Sequence, residues 1–282
     1  MAHLATARRG SPRRTLRPRL TARDAPPHDP RDRRVPAAIA AGALVSWELL
    51  ARSGVIPAVF FPAPSAIARA LVESTISGEL PRHLGATLLR LLPGLVLGGL
   101  PGLLAGLAMG RSRPLRAITD PFVAALHPIP KLALLPLFMI LFGIGELSKI
   151  VVIAAAAFFP ILINGMAGVR QIRPAHIDIA ISYGAGRATL WRHVIVPASL
   201  PFVFAGVRIA TNLALLVTIA VEMTAADTGL GALVWLSWQV LRIERLYATL
   251  VILALLGLAL NSVLEWLARR FPGGMPEMEQ AA

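Results

Sequence analysis

The 282-residue chain has no cysteine, which excludes disulfides, thiolate metal sites and cysteine nucleophiles. It is also poor in charge. Asp, Glu, Lys and Arg make up 15% of it, against roughly 25% in an ordinary soluble domain. Lysine is scarcest. Lys131 and Lys149 follow Pro130 and Ser148, so the Gly-Lys-Ser/Thr of a phosphate-cradling loop is absent and the chain is no P-loop ATPase. No carboxylate or histidine set has metal-ligand spacing, and no nucleophile–base constellation of an embedded enzyme is present. No cofactor is expected in this chain.

What is abundant is apolar: 56% of the residues are hydrophobic and the mean hydropathy is +0.67. The expected class is an all-α membrane protein. A bilayer core takes about 20 apolar residues as helix, and six stretches qualify, near 36–55, 85–110, 117–142, 148–168, 198–221 and 246–268. The third contains Pro121, Pro128, Pro130, Pro136 and Lys131. Proline removes a helical donor, and broken backbone at membrane depth survives only inside protein or beside a cavity. That span is expected to bend and to sit inside the assembly. In the second span Gly94, Gly98, Gly102, Gly106 and Gly110 recur every fourth residue, a smooth ridge that admits close approach of another helix.

The net charge of +13 is unevenly spread. Residues 1–34 hold ten arginines and three aspartates with almost no apolar payload, which predicts a disordered basic tail drawn to anionic lipid headgroups. Without interleaved aromatics for base stacking, a nucleic-acid partner is not expected. Arg111, Arg113, Arg116, Arg170, Arg173, Arg187, Arg192, Arg269 and Arg270 fall on one side if six spans have both termini in the cytoplasm. Residues 35–271 then form the membrane domain and 272–282 a short tail. The expected location is a cell membrane, crossed several times, with both termini in the cytoplasm.

Between the fourth and fifth spans lies Asp178–Pro197, DIAISYGAGRATLWRHVIVP. Pro174 suits a first helical turn. Ile177, Ala180 and Ile181 share one face, and Gly184 and Gly186 permit a sharp turn. A second short helix would turn Leu190, Trp191 and Val194 inward until Pro197 ends it. The result is an L of two amphipathic helices at the cytoplasmic face. The spacing is acid, one residue, alanine, three residues, glycine, nine residues, Val-x-Val-Pro. It resembles the EAA loop of ABC-importer permeases: Glu-Ala-Ala, three residues, Gly, nine residues, Ile-x-Leu-Pro. Asp178, Ile179, Val194 and Val196 depart from that pattern, Ile179 by placing a larger apolar group where a small one is usual. The flanking segments KLALLPLFMILFGIGELSKIVVIAAAAFFPILIN and GVRIATNLALLVTIAVEMTAADTGLGALV resemble the subfamily serving aliphatic sulfonates, taurine, nitrate, bicarbonate and pyrimidine thiamine precursors.

The resemblance implies a six-helix permease fold working as a homodimer. Two ATPase subunits bind ATP-Mg beneath it and an extracytoplasmic solute-binding protein delivers substrate, a small and mostly anionic solute. It implies a coupling loop near 170–197 that docks on the ATPase through Asp178, Ala180, Gly184, Ala185, Arg187 and Pro197. Separately, Arg208, Thr211, Asn212, Thr218 and Glu222 fall within about a 120° arc of the fifth span. They line either a translocation pathway, with Glu222 near its outer mouth, or an interhelical contact. Lys131 and Asn164 are weaker pathway candidates. A gradient-driven carrier is the alternative function, but it would leave the L without a role.

Overall fold

The computed structural model describes residues 30–54, 57 and 59–270, with the side chains of 30–37 set aside. Residues 1–29 of the expected tail, and the C-terminal tail, lie outside the described residues; residues 30–34 open the first helix. Described residues are helical with no strand: α1 Pro30–Arg52, α2 Pro64–Ile76, α3 Glu79–Arg111, α4 Arg113–Leu126, α5 Leu135–Phe142, α6 Glu146–Arg170, α7 Pro174–Ser182, α8 Arg187–Leu190, α9 Val196–Ala225, α10 Leu230–Gln239 and α11 Ile243–Arg270.

Four helical stretches are long and apolar enough to cross a membrane: α3, α6, the continuous Arg187–Ala225 and α11. A fifth is the pair α4 and Lys131–Phe142, which meet at 89°. The third span is thus broken, as its prolines require. Pro128 and Pro130 occupy the break, and Lys131 closes it by donating to the carbonyls of Leu126, His127 and Ile129 at 2.7, 3.1 and 2.9 Å. Its ammonium also stands 4.4 Å from the centroid of the Phe159 ring. Within the single protomer this pair is not enclosed: α4 buries no residue and α5 only Leu135. The expected first span, α1, is not among the stretches that qualify.

The core is built on the glycine ridge, and the helix that fills it is α6. A Cβ at Gly98 would fall inside the Ala154 carbonyl, one at Gly102 would lie 2.6 Å from Phe158 O, and those at Gly106 and Gly110 would meet the Leu162 and Met166 carbonyls. Both helices advance four residues per contact in the same direction, so α3 and α6 run parallel with backbones touching. The chain between them must therefore climb back the length of α6, and the bent pair makes that return. α9 runs antiparallel to α6, with Gly168 against Ser199 and Gly206 against Asn164 and Pro160. α11 reverses again, Arg208 reaching Glu265 and Asn212 reaching Asn261. Leu91, Ile153, Ala157, Ile161, Ala210 and Ala214 fill the middle.

These directions gather the α3–α4 junction, the α6–α9 connection and the end of α11 at one arginine-rich end. α2, the starts of α3 and α6, and α10 lie at the other. The segment around Trp235 and Trp238 is a helix, α10, and it packs into the protein rather than lying at its rim. Leu230 and Leu233 of α10 are fully buried against Leu80.

Gly98→Val is expected to force α3 and α6 apart, because the obstructing atoms are backbone and cannot rotate away. Overpacking of this kind costs at least about 1–3 kcal/mol. Gly85→Ala, with open space at its Cβ, serves as control. Thermal unfolding in detergent should drop clearly for the first and stay near wild type for the second.

Candidate functional site

At the arginine-rich end the chain between α6 and α9 forms an elbow. α7 opens with Pro174 in its first turn, where a missing N–H costs nothing. It ends in a Schellman motif: Gly184 adopts φ +78°, its N–H donates to Ile181 O at 2.9 Å, and the Ala185 N–H reaches Ala180 O at 3.0 Å. A left-handed residue at this position is normally glycine. Ile177 and Ala180 face inward, against Val169, Leu190, Ile195 and Val203, and Trp191 and Val194 join them from the second arm. Ile181 does not: it is exposed, as are Asp178, Ile179, Tyr183, Gly184 and Arg187, while Ala185 is half-buried.

Pro197 does not end the second arm. It sits in the first turn of α9, and the chain is helical from Arg187 to Ala225. The proline has no N–H for the carbonyl of His193. The helix absorbs this in a π turn, Trp191–Ile195, with the Val196 N–H bonded to Trp191 O five residues back. Such one-residue expansions occur inside α-helices, frequently at functional sites.

The opposite end carries an ion cluster in which Arg90, Lys149 and Glu222 are buried and Glu146 is exposed. Arg90 of α3 is 3% exposed and Glu222 of α9 is 0% exposed. All five N–H groups of Arg90 are used. Nε and Nη2 grip the Glu146 carboxylate at 2.5 and 3.0 Å, and Nη1 reaches Glu222 Oε1 at 2.8 Å and Thr228 O at 2.5 Å. The second Nη2 bond goes to Thr228 Oγ1 at 3.0 Å. The other Glu222 oxygen accepts from Thr87 Oγ1 at 3.0 Å and from the Gly231 N–H at 2.9 Å. Lys149 pairs with Glu146 at 3.0 Å, so two positive charges balance two negative ones. Gly229, at φ +118°, passes so near the Glu222 carboxylate that a Cβ would overlap it. His83 Nδ1 lies 2.8 Å from the Gly229 carbonyl oxygen.

Residues 98–273 match the family described as binding-protein-dependent transport system inner membrane component. The taurine transport system permease protein TauC of Escherichia coli is 35% identical over 80% of this chain and 84% of its own. The chain belongs to this permease family. Two permeases named SsuC, for aliphatic sulfonate transport, are 31% identical in Bacillus subtilis (79% of this chain, 81% of theirs) and 35% in Escherichia coli (77% and 82%). A chain of the inward-facing MetNI methionine ABC transporter superposes with a TM-score of 0.55 at 19% identity, covering 74% of this chain and 98% of that one; the two share a fold. The relatives are transport permease proteins rather than enzymes, and the chain is a permease subunit of the same kind.

Within the permease the fifth-span stripe divides. Thr211, Thr218 and Glu222 are buried in the protomer. Glu222 is therefore enclosed within the protomer rather than open to a mouth. Arg208 and Asn212 are exposed and turn toward α11, Arg208 pairing with Glu265 at 3.1 Å. Asn164 is partly buried and bonds the Pro160 carbonyl at 2.8 Å. His127 lies 5.6 Å from the Phe159 ring, centroid to centroid. Sequence reasoning missed Arg90, Thr87 and Glu146. The available signal was Arg90 itself, a lone arginine inside an apolar span, for which a partner is obligatory.

Arg90→Leu leaves Glu222 buried and uncompensated, at a cost of about 3–5 kcal/mol. The double variant Arg90→Leu/Glu222→Leu removes the orphaned charge and should recover much of that loss. Chemical or thermal unfolding in detergent reads both. A double variant no better than the single would show that the cluster does not act as a pair.

Proposed function

We propose that this permease is the transmembrane subunit of an ATP-driven importer for a small anionic solute of the sulfonate or taurine class, and that the elbow at Pro174–Pro197 couples it to a separate ATPase. The observation that carries the reading is the elbow's division of faces. Ile177, Leu190 and Trp191 anchor it to the ends of the spans. Asp178, Ile179, Tyr183 and Arg187 point outward with no structural task of their own. A rigid element bolted to the spans and open on one side is what a mechanical coupling to a soluble motor requires. Tyr183 and Ile179, 89% and 55% exposed, offer the apolar contact; Asp178 and Arg187 offer ion pairs. Gly184 and Ala185 form the corner, Ala180 packs beneath it, and Pro197 sets the π turn that joins the elbow to α9. The names of the relatives supply the solute class.

In this reading the arginine-rich end is cytoplasmic, α1 and the bent pair complete six spans, and both termini lie inside. Two copies enclose the pathway, with an extracytoplasmic binding protein at the far end and ATP-Mg confined to the ATPase. The unenclosed α4 and α5 provide surface for the second copy. Arg208 and Asn212 are the stripe residues open to a pathway, while Thr211, Thr218 and Glu222 hold the wall from behind.

Gly184→Val must place a β-branched residue in a left-handed conformation, at a cost of about 1–2 kcal/mol, and should distort the corner without affecting insertion. In proteoliposomes with the ATPase and binding protein, taurine or sulfonate uptake is expected to fall tenfold or more while the ATPase still co-purifies. Normal uptake by this variant, or uptake with no ATPase present, would sink the proposal. Because the chain has no cysteine, Asp178→Cys gives a unique label site. An impermeant maleimide should modify it in inverted vesicles and not in right-side-out ones; the reverse pattern would overturn the orientation.

A further inference from the structure

Three guanidinium groups open onto one groove at the arginine-rich end. Arg111 ends α3, Arg113 begins α4 and Arg187 begins α8. They line a cavity of about 860 Å³, walled on its apolar side by Leu115, Leu190 and Trp191. None of the three arginines has an ion-pair or hydrogen-bond partner among the described residues, and no carboxylate lines the cavity. The neighbouring Arg116 differs, lying 4.0 Å from Asp120.

Three exposed cations around one groove, with no carboxylate among them, give it a positive potential that favours an anion there. Guanidinium forks match phosphate oxygens in geometry. The first turn of α4, capped by Ser112, adds the partial positive charge of a helix N-terminus. The volume falls within the roughly 300–1,000 Å³ of small-ligand sites. The wall decides the class of anion. A free phosphate has no use for Leu115, Leu190 and Trp191, and a tryptophan beside arginines at a span end suits headgroup depth.

We propose that this groove binds the headgroup of an anionic phospholipid. The phosphodiester lies against Arg111 and Arg113, and the acyl chains run over Leu115 and Trp191. The site joins the α3–α4 junction to the second arm of the elbow, so bound lipid braces the coupling element against the spans. The inference rests on the proposed topology, which puts this end at the inner leaflet. Its test needs no ATPase, so a failure here is distinct from a failure of coupling.

The full chain is placed in phosphatidylcholine nanodiscs carrying brominated phosphatidylglycerol, with Trp47, Trp235, Trp238 and Trp266 replaced by Phe so that Trp191 reports alone. Native mass spectrometry of the chain with its own tryptophans counts retained phosphatidylglycerol and covers the case in which the four-Phe variant fails to fold. Quenching is expected to saturate at one lipid. Each arginine should contribute about fivefold in affinity, so Arg111→Gln/Arg113→Gln should lower it tenfold or more. Arg269→Gln/Arg270→Gln, which removes equal charge at the same end but away from the groove, should change it less than twofold. Equal losses in the two pairs would mean diffuse surface attraction and overturn the proposal. So would displacement by millimolar inorganic phosphate, a free-anion site, or by an acidic peptide, a protein-docking site.

Discussion

The backbone contact between α3 and α6 is the constraint on which the other features depend. Gly98, Gly102 and Gly106 let main chain meet main chain, and in lipid, where apolar burial gives helices no reason to associate, such close packing is a main source of attraction. The contact also fixes direction. Two parallel neighbours require a returning span between them, and that span is the one fractured by Pro128 and Pro130. The bent α4–α5 pair is thus dictated twice, by its own prolines and by the parallel geometry of its flanks.

A ridge that repeats every four residues has a weakness. Sliding α3 by one helical turn, ~6 Å, would bring glycines back over carbonyls and leave much of the packing intact. The Arg90 cluster removes that degeneracy. A slip of one turn would pull the guanidinium off Glu146 and Glu222 and strand a buried carboxylate. Buried ionic groups contribute little net stability against apolar substitutes, and their best-attested role is to specify register. Here Arg90 also ties the α9–α10 connection to α3 through Thr228, His83 of α3 holds Gly229, and Glu222 ties Gly231 to α9. Three helices and one connection become a single rigid unit at that end.

Much of this was legible in the sequence. Glycine periodicity announced the ridge, proline density the broken span, and the Asp178–Gly184–Pro197 spacing the elbow. What stayed hidden has physical reasons. Periodicity reports that a face is smooth, not which neighbour covers it, so α6 had to come from the fold. Ile181 looked inward by helical phase, but the buried face of α7 centres between Ile177 and Ala180, and Ile181 lies about 70° from that centre. Pro197 read as a terminator because its cost in a helix is usually decisive; the π turn that absorbs it leaves no trace in composition. Glu222 stayed open between a pathway lining and an interhelical contact, because a polar stripe on one helix does not reveal that an arginine more than a hundred residues earlier neutralises it.

The π turn also sets an angular phase. By inserting one residue into the helical repeat, Trp191–Ile195 rotates everything before it by about 100° relative to everything after it. The elbow's outward face is thereby aimed independently of the face α9 presents to its neighbours. The same proline that forbids a regular helix thus works as an indexing joint. It lets one unbroken rod aim its two parts in separate directions.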